Sequence, residues 1–458
     1  MRRKKSNIGA TLLVVFFLAI IGGAVYLANS PMFERNAPKI EVADSIFWNL
    51  KEPIKVKLSD DSGIRSYKAV LNDGISDFVV LEEEVATPQK EMEISVTLPR
   101  AGWNRRSAFA SMRIEVTDAS NWNLLKGNNS VKSVNITIDS VRPTAFVLAN
   151  SYSIKQGGSA LVVFGAKDKN LKSVYIKTSF GKIFKAEPFY KPGYYAALIA
   201  WPVPEKRFRA WVEATDLAGN LTKAHIPLFV EKQRYRRSNI TLKDRFLNGK
   251  VADLAMEFDE TANISDPVER FRIINEEIRK RNEELIHKIG SKVSDKLIRR
   301  WSVKPFLPLK NAKKVASFGD HRFYYYKGKK VSESYHLGLD LASVKMADII
   351  ASNPGRVVYS GYNGIYGNMP MIDHGLGLYT LYGHCSSLNV QEGDDVSRGE
   401  RIAKTGKTGL ALGDHLHFGI VVQGVEVRPV EWMDAHWIKN NIVSIFHTAR
   451  KMIDRRSE

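Results

Sequence analysis

Two stretches near the C-terminal end decide the fold: Tyr335-His336-Leu337-Gly338-Leu339-Asp340 and Gly413-Asp414-His415-Leu416-His417-Phe418. β-Forming residues and turn glycines surround both stretches. We therefore predict that each is a strand, in which residues two or four apart project to one face. His336 and Asp340 then share one side of a strand, and Gly338 between them leaves room for an ion. His415 and His417 share a face of the second strand.

These side chains suit a metal centre. Two imidazoles and one carboxylate are the usual ligands of a catalytic Zn²⁺, with a fourth position left to water. Zinc supplies a hydroxide nucleophile near neutral pH and polarises a carbonyl group. One histidine remains for proton transfer, for which its unperturbed pKa of about 6.5 is suited.

The segment from about Ser317 to Pro429 resembles the lysostaphin-type (LytM-domain) zinc endopeptidases of bacterial cell walls. The resemblance implies that His336, Asp340 and His417 bind one Zn²⁺ per chain and that His384 and His415 are two further active-site histidines. Because all five residue types are present, it also implies an active hydrolase; degenerate relatives that only activate other enzymes have lost some of them. The matching stretches are Ser317-Phe318-Gly319, His336-Leu337-Gly338-Leu339-Asp340-Leu341-Ala342, Gly364-Ile365-Tyr366-Gly367-Asn368, Leu381-Tyr382-Gly383-His384, Val396-Ser397-Arg398-Gly399, Gly406-Lys407-Thr408-Gly409 and His415-Leu416-His417-Phe418.

The roles of the two further histidines stay open. We favour His415 as the general base, because it neighbours His417 on the same strand face. His384 then orients the water or stabilises charge on the tetrahedral intermediate. The sequence equally allows the exchange of these two roles.

Other residues in the same segment are expected to be structural. Cys385, the only cysteine, should point away from the metal as a small core residue, because neighbouring strand residues face opposite sides. His374 lies where family members commonly carry histidine, without matching a ligand position. Tyr382 and Asn368 are candidates for lining a groove, with packing as the alternative for the tyrosine.

The N-terminus predicts the compartment. An uncharged run from Ile8 to Ala28 follows four basic residues at positions 2–5, and its length is close to the roughly 20 residues that cross a bilayer. We expect residues 1–6 to be cytoplasmic and residues 7–29 to be an uncleaved transmembrane helix, with Pro31 hindering cleavage. The protein would be single-pass in the inner membrane, with its catalytic domain in the periplasm. The outer face of a Gram-positive cell is the alternative.

Between anchor and enzyme lies an internal repeat. Asp61–Tyr67 parallels Asp168–Val174, and Glu115–Asn121 parallels Glu213–Asn220. Repeats of about 100 residues with period-2 patterning favour β-sandwiches, and their turns resemble those of bacterial immunoglobulin-like domains. We predict immunoglobulin-like β-sandwiches at residues 32–140 and 141–232, which either bind substrate or a partner or act as spacers.

Residues 233–303 read as a helical connector. Asp266-Pro267-Val268-Glu269 is a helix start, and an apolar stripe follows at Phe271, Ile274, Ile278, Leu285 and Ile289. The helix either covers the groove, in which case residues 304–458 alone should be more active than residues 31–458, or packs to orient the peptidase. The peptidase at residues 304–435 is expected to be mostly β, with an antiparallel sheet that forms the groove. A C-terminal helix within 436–458, with Ile438, Ile442, Ile445, Ala449 and Met452 on one stripe, should dock on the peptidase.

The whole chain therefore predicts a mostly β, multidomain, membrane-anchored zinc endopeptidase that hydrolyses peptide cross-links of peptidoglycan, as a D,D-endopeptidase. The alternatives are a non-catalytic or self-inhibited wall-binding scaffold that activates another hydrolase, and an enzyme for glycine bridges. Expected partners are peptidoglycan stem peptides, the inner membrane, and proteins of wall synthesis or cell shape. Export excludes nucleic acid, so the net charge of +19 is assigned to attraction towards wall carboxylates or anionic lipid, or to general solubility.

Overall fold

The computed structural model describes residues 8–456. The predicted cytoplasmic residues 1–6 and residue 7 of the predicted anchor lie outside the described residues. Chain contacts define two compact units. The first unit runs to residue 142 and includes residues 170–172 and 215–221, and the second unit holds residues 143–169, 173–214 and 222–458.

Helix α1 (Ile8–Asn29) is the first described element, and a short 3₁₀ turn (Pro31–Phe33) follows it. Among the described residues, no helix has both the length and the apolar character that crossing a membrane requires. The predicted transmembrane helix at residues 7–29 is therefore not supported by this structure, and membrane attachment stays a prediction.

The strands of the first unit form one six-stranded sheet of order β1-β3-β5-β6-β2, with β4 paired along β3. Alternate apolar side chains of β3, such as Val56 and Leu58, are buried in the core cluster of this unit, as the two-residue period of a strand requires. Because all six strands share a single sheet, the predicted two-sheet sandwich at residues 32–140 is not confirmed. The elements are β1 (Lys39–Glu41), β2 (Ser45–Trp48), β3 (Ile54–Asn72), β4 (Asp77–Val96), β5 (Phe109–Asp118), the one-turn α2 (Trp122–Leu125) and β6 (Asn129–Ile138).

Residues 144–231 contain two four-stranded sheets, of orders β11-β10-β14-β15 and β12-β13-β9-β7, and a parallel pair of β8 with β16. Two sheets agree with the predicted sandwich at residues 141–232, but the immunoglobulin-like type is not confirmed. The strands are β7 (Thr144–Asn150), β8 (Ser153–Lys155), β9 (Ser159–Lys167), β10 (Leu171–Thr178), β11 (Ile183–Lys185), β12 (Glu187–Pro188), β13 (Tyr194–Ala200), β14 (Ala210–Asp216), β15 (Leu221–His225) and β16 (Phe229–Glu231).

The predicted repeat has a partial structural counterpart at two turns, in which Asp118 corresponds to Asp216, but Asn128 rather than the predicted Asn121 corresponds to Asn220. Asp118 ends β5 and accepts hydrogen bonds from the backbone N–H of Asn128 at 2.8 Å and from its side-chain amide at 2.7 Å. Asp216 ends β14 and accepts the same pair of bonds from Asn220, both at 2.8 Å. In both turns, a buried carboxylate satisfies backbone and side-chain donors of a following asparagine.

The predicted helical connector contains a strand near its start. Strand β17 (Arg237–Thr241) pairs in parallel with β19 (Asp320–Tyr326). Helices follow, and Asp266 caps the one that starts at Pro267 by accepting from the Val268 N–H at 2.9 Å, as the sequence predicts. The helices are α3 (Asp244–Phe246), a π-helical turn (Leu247–Val251), α4 (Ala252–Ala255), α5 (Asp259–Ala262), α6 (Pro267–Ile273), a second π-helical turn (Ile274–Ile278) and α7 (Arg279–Gly290).

An eight-stranded antiparallel sheet forms the centre of the predicted peptidase, as expected from the sequence. Its order is β18-β21-β29-β25-β24-β23-β27, with β30 paired to β29; β17-β19-β20 and β22-β28-β26 form two smaller sheets. The elements are β18 (Lys313–Ala316), β19, β20 (Lys329–His336), β21 (Leu339–Ala342), β22 (Asp348–Ile350), β23 (Gly355–Tyr362), a 3₁₀ turn (Gly364–Tyr366), β24 (Asn368–Asp373), β25 (Leu378–Gly383), β26 (Ser387–Leu388), β27 (Asp395–Val396), β28 (Arg401–Lys404), β29 (Leu416–Val422), β30 (Val425–Val427), α8 (Pro429–Trp432), α9 (Ala435–Ile438), a π-helical turn (Lys439–Val443) and α10 (Ser444–Arg455).

The C-terminal helices contact the peptidase and also the strands of residues 144–231, which we call the second β module. The Phe446 ring lies 5.0 Å from that of Phe189, and the Trp432 indole N–H donates to the Ser159 hydroxyl at 3.0 Å. One apolar cluster runs through strands β9 and β13, strand β29 and these helices. The second β module and the peptidase therefore share a core, which the predicted boundary at residue 232 did not anticipate.

Candidate metal centre and active site

Three strands bring the predicted metal ligands together. His336 is the last residue of β20, Asp340 lies in β21 and His417 lies in β29. Asp340 and His417 are direct cross-strand partners, so their side chains share a face. The prediction that His336 and Asp340 lie on one strand is wrong, because the chain leaves one sheet after His336 and enters another at Leu339.

The three candidate ligand atoms form a compact triangle. His336 Nε2 lies 3.0 Å from Asp340 Oδ1, and His417 Nδ1 lies 2.9 Å from the same oxygen. The two nitrogens are 3.1 Å apart. Three ligands at zinc distances of about 2.0–2.1 Å in tetrahedral geometry lie roughly 3.3 Å from one another. The observed edges are a few tenths of an ångström shorter, so a small expansion of the triangle accommodates a cation without rearrangement of the chain.

A hydrogen bond to the backbone fixes the tautomer of His336. Its Nδ1 lies 2.9 Å from the carbonyl oxygen of Ser317, which only accepts, so Nδ1 carries the hydrogen. Nε2 of the neutral ring then presents a lone pair to Asp340 and His417. Two nitrogens and a carboxylate oxygen converge where at most one hydrogen fits between them, and a metal cation satisfies all three. The residues fit zinc.

Gly338 serves the ring of His417. A Cβ atom at position 338 would collide with Nε2 of His417. The sequence argument that Gly338 leaves room for an ion is therefore incomplete. The missing side chain lets the imidazole of His417 approach the turn between β20 and β21.

The electrostatics favour the protonation states that bind metal. Burial raises the pKa of Asp340, but His336 and His417 outweigh this effect and hold that pKa well below its usual range. Burial lowers the pKa of His417 to about 4, against the opposing effect of Asp340. A carboxylate and neutral imidazoles are the ligand forms that a divalent cation requires.

His384 follows strand β25 with φ of 65°. Its Nδ1–H donates to the carbonyl oxygen of Thr408 at 2.9 Å, and its backbone N–H donates to Tyr366 O at 2.7 Å. The matched stretches around Tyr366 and Thr408 thus position this histidine. Burial and two neighbouring histidines, His417 and His415, lower the pKa of His384 well below its ordinary value, which leaves a neutral ring with a lone pair on Nε2.

His415 lies just before β29 and forms an isolated bridge with Gly406, so the prediction that it shares a strand with His417 is not confirmed. Its Nδ1–H donates to Gly413 O at 2.8 Å, and its Nε2 lies 3.8 Å from Asp340 Oδ1. The ring centroids of His415 and His384 are 4.8 Å apart. Both rings donate from Nδ1 to a backbone carbonyl oxygen, and the side chain of His415 is 16% exposed whereas His384 is buried.

The remaining sequence candidates are structural. His374 is buried, donates from Nδ1 to Pro354 O at 2.8 Å and accepts from the Thr380 hydroxyl at Nε2, also at 2.8 Å. Cys385 and Tyr382 are buried in the core, and burial raises the pKa of the Cys385 thiol to about 12. Asn368 donates to Cys385 O at 3.2 Å and supports the loop rather than the groove.

A groove of about 1000 Å³ opens at the five candidate residues. Its lining includes Arg322, whose Nη2 lies 3.9 Å from Asp340 Oδ2. Arg322 Nε lies 3.5 Å from Asp320, and Asp320 accepts a hydrogen bond from the Ser238 hydroxyl of β17 at 2.8 Å. Lys243, also from the upstream segment, lines the same groove. Sequence reasoning missed these residues because no spacing signal links the upstream segment to His336.

The sequence profile described as Peptidase family M23 matches residues 334–429, the range that holds all five candidate residues. Residues 334–429 form a peptidase family M23 domain. The family includes peptidases and non-catalytic relatives.

Three curated relatives align with part of the chain. "DD-carboxypeptidase/endopeptidase Mpg" of Neisseria meningitidis serogroup B is 40% identical over 95 residues, 21% of this chain and 22% of the relative. "Peptidoglycan DD-endopeptidase ShyA" of Vibrio cholerae is 35% identical over 129 residues, 28% of this chain and 29% of the relative. "Murein hydrolase activator NlpD" of Escherichia coli is 38% identical over 104 residues, 22% of this chain and 27% of the relative. The alignments thus span less than a third of each relative.

Proposed function

We propose that this protein is a zinc-dependent endopeptidase that hydrolyses peptide cross-links of peptidoglycan, as a D,D-endopeptidase. The observation that carries the proposal is the triangle of His336 Nε2, Asp340 Oδ1 and His417 Nδ1, with edges of 2.9–3.1 Å. Two relatives whose names include endopeptidase activity support it.

His336, Asp340 and His417 would hold the zinc ion. When bound, zinc lowers the pKa of water and polarises a carbonyl group. His415, the more exposed of the two remaining histidines, accepts the proton of the attacking water at Nε2 and returns it to the leaving amine. His384 donates from Nδ1 to Thr408 O, so its Nε2 accepts a hydrogen bond and orients the water. The backbone bonds to Thr408 and Gly413 hold both rings in the required tautomer.

The experiment is a digestion of purified, cross-linked peptidoglycan by the full chain, with products identified by mass. Release of un-cross-linked peptides that depends on zinc supports the proposal. The Asp340→Ala variant lacks a ligand and should release none, and the His415→Ala variant should bind zinc yet release none. Equal product release by all three proteins would contradict the proposal.

The alternative function is that of a non-catalytic activator of another hydrolase. The likeness to a protein named as a murein hydrolase activator supports this alternative. The presence of all five histidine and aspartate positions favours the enzyme. A second hydrolase added to the same digestion distinguishes the two functions, because an activator increases product release only in its presence.

We further propose that the enzyme acts outside the cytoplasm, anchored in the inner membrane by residues 7–29. The four basic residues at positions 2–5 and the uncharged run that follows support this proposal. Its substrate would then be reached from the membrane surface, alongside proteins of wall synthesis or cell shape.

A further inference from the structure

We infer that a basic wall of the groove, formed by Lys243, Arg245 and Lys250, binds a free carboxylate of the peptide substrate close to the scissile bond. This inference rests on the proposed function, since it names the chemistry that distinguishes one cross-linked peptide from another. The three residues lie between β17 and α4, upstream of the family-matched residues 334–429, and all three line the groove that contains His415 and His384.

Cationic side chains outnumber acidic side chains in the lining of the groove. Arg279 and Arg322 add two more cationic side chains to its lining, and the acidic lining residues are Asp340 and Asp414. Asp340 belongs to the metal triangle. Asp414 accepts from the Thr405 hydroxyl at 2.6 Å and from the Met346 N–H at 3.2 Å. Both carboxylates are therefore committed within the protein.

Two of the cations of the wall are available to a ligand. Within residues 8–456, neither Lys243 nor Arg245 forms an ion pair, and both are exposed. By contrast, Arg279 donates to Asn275 at 2.9 and 3.0 Å, and Arg322 faces Asp320 and Asp340. Lys250 donates to Lys407 O at 3.0 Å, which brings its ammonium group to the stretch that positions His384.

Buried side chains and hydrogen bonds fix the backbone that carries the basic wall. Leu242 and Leu247 are buried on either side of Lys243 and Arg245. The Leu242 N–H donates to Tyr325 O at 2.8 Å, and the Tyr326 hydroxyl donates to Asp244 at 2.8 Å. A cation presented from a fixed backbone suits an anionic group at a set distance from the reaction centre.

The remaining lining favours a peptide that is apolar elsewhere. Val315 and Leu412 line the groove with exposed fractions of 55% and 80%. Apolar side chains of a ligand can contact this surface while a carboxylate binds the basic wall. The fitting ligand is therefore a peptide with apolar side chains and at least one free carboxylate.

The test compares soluble cross-linked peptide dimers with free carboxylates to the same dimers after conversion of these groups to carboxamides. The zinc-loaded full chain should cleave the free form with a kcat/KM about tenfold higher, because a charged hydrogen bond contributes roughly that factor. In Lys243→Ala/Arg245→Ala, KM for the free form should rise about tenfold with kcat within about twofold. The amidated form should be cleaved as before.

The control variant is Lys329→Ala/Arg398→Ala, which removes two exposed positive charges outside the groove lining. It should match the parent protein on both substrates. If the control variant loses as much activity on the free dimer as the Lys243/Arg245 variant, the effect is general charge attraction and the inference is overturned. Equal cleavage of free and amidated dimers, or an equal loss on both in the Lys243/Arg245 variant, also overturns it.

A binding measurement separates this inference from the proposed function. Titration of both dimers into zinc-loaded His415→Ala should show tighter binding of the free form, and that preference should disappear when Lys243 and Arg245 are also changed to alanine. If the parent protein binds with this preference but cleaves nothing, the proposed function fails and the carboxylate site stands. If the free and amidated dimers bind with equal affinity, the inference fails, whether or not the protein cleaves them.

Discussion

The Nε2 atom of His336 and the Nδ1 atom of His417 face each other at 3.1 Å. Because His336 carries its hydrogen on Nδ1, towards Ser317 O, the only hydrogen available between the two rings belongs to His417. A cation in this place gains two nitrogens and the Asp340 carboxylate, and the hydrogen of the neutral His417 ring is then carried on Nε2.

Removal of one member of the triangle should remove the metal. In Asp340→Ala, the zinc content measured by elemental analysis should fall from about one ion per chain to near zero, since two histidines make an incomplete site. His415→Ala should keep most of its zinc. Full zinc occupancy in a folded Asp340→Ala protein would show that the ligand assignment is wrong.

We expect Arg322 to position Asp340, one of the candidate metal ligands. Its guanidinium faces Asp340 Oδ2 on one side and Asp320 on the other. Loss of such an outer partner weakens metal affinity about 10–100-fold, so Arg322→Ala should raise the zinc dissociation constant in that range, measured by competition with a chelator. Arg322→Lys keeps the charge and should lose less. Unchanged affinity in both variants would exclude the role.

His374 should make stability depend on pH. Burial lowers the pKa of His374 to about 4, whereas an unfolded histidine titrates at about 6.5. Between these values the unfolded chain binds the extra proton, so the free energy of unfolding falls as the pH falls from about 6.5 to 4, by up to about 3 kcal/mol. Urea unfolding of zinc-free protein at pH 7 and 5 measures this dependence.

The matched variant for that measurement is His374→Gln, which removes the titrating group. Its overall stability is lower because the bonds to Pro354 and Thr380 are disturbed, but the difference between pH 7 and pH 5 should shrink relative to the parent protein. An identical pH difference in parent and variant would assign the effect to other groups.

Residues 304–458 alone should fail to form a stable peptidase. The upstream helices bury Phe271, Ile274, Ile278 and Ile286 against the peptidase core, which includes Met371 and Val421. Burying each such side chain contributes about 1.5–3 kcal/mol, so their loss is comparable to the 5–15 kcal/mol that stabilises a typical domain.

This expectation reverses the hypothesis that the connector is a removable cover whose deletion raises activity. The two hypotheses are distinguished by comparing residues 304–458 with residues 31–458. The measurements are zinc content, circular dichroism and digestion of peptidoglycan. A folded, zinc-loaded short fragment with higher activity than residues 31–458 would restore the hypothesis of self-inhibition.

The proposed anchor has its own test. Protein in the membrane fraction should resist carbonate washing, and a reporter fused after residue 458 should be exported. A soluble mature form that begins near Asn29 would replace the anchor by a cleaved signal peptide.

The sequence predicts the cluster of His336, Asp340 and His417 because these residue types recur at family spacing. The break between β20 and β21 and the neighbours distant in sequence have no such signal. The helices show a second limit. The sequence stripe placed Leu285 and Ile445 in the core, but Ile286 and Phe446 are the buried residues. Leu285 and Ile445 are only half-buried, and a π-helical turn, Ile274–Ile278 or Lys439–Val443, lies before each of these positions.

Arg322 and the basic wall were missed for a different reason. They reach the site through the parallel pairing of β17 with β19, and no local periodicity reveals the partner of a strand about 80 residues away. Strand β17 (Arg237–Thr241) lies within the predicted helical connector, because five residues are too few for their alternation to indicate a strand.

The contacts of the C-terminal helices indicate which part of the core is completed last during folding. Ser151 donates to Asn441 O at 2.9 Å, and Ser159 accepts from Trp432, so the module begun at residue 143 is finished by the end of the chain. Such contacts of long sequence separation form late in folding. A chain in which helices α8–α10 have not yet docked lacks part of the apolar cluster that joins strands β9 and β13 to strand β29. We therefore expect that this shared core is completed only after these helices have been synthesised.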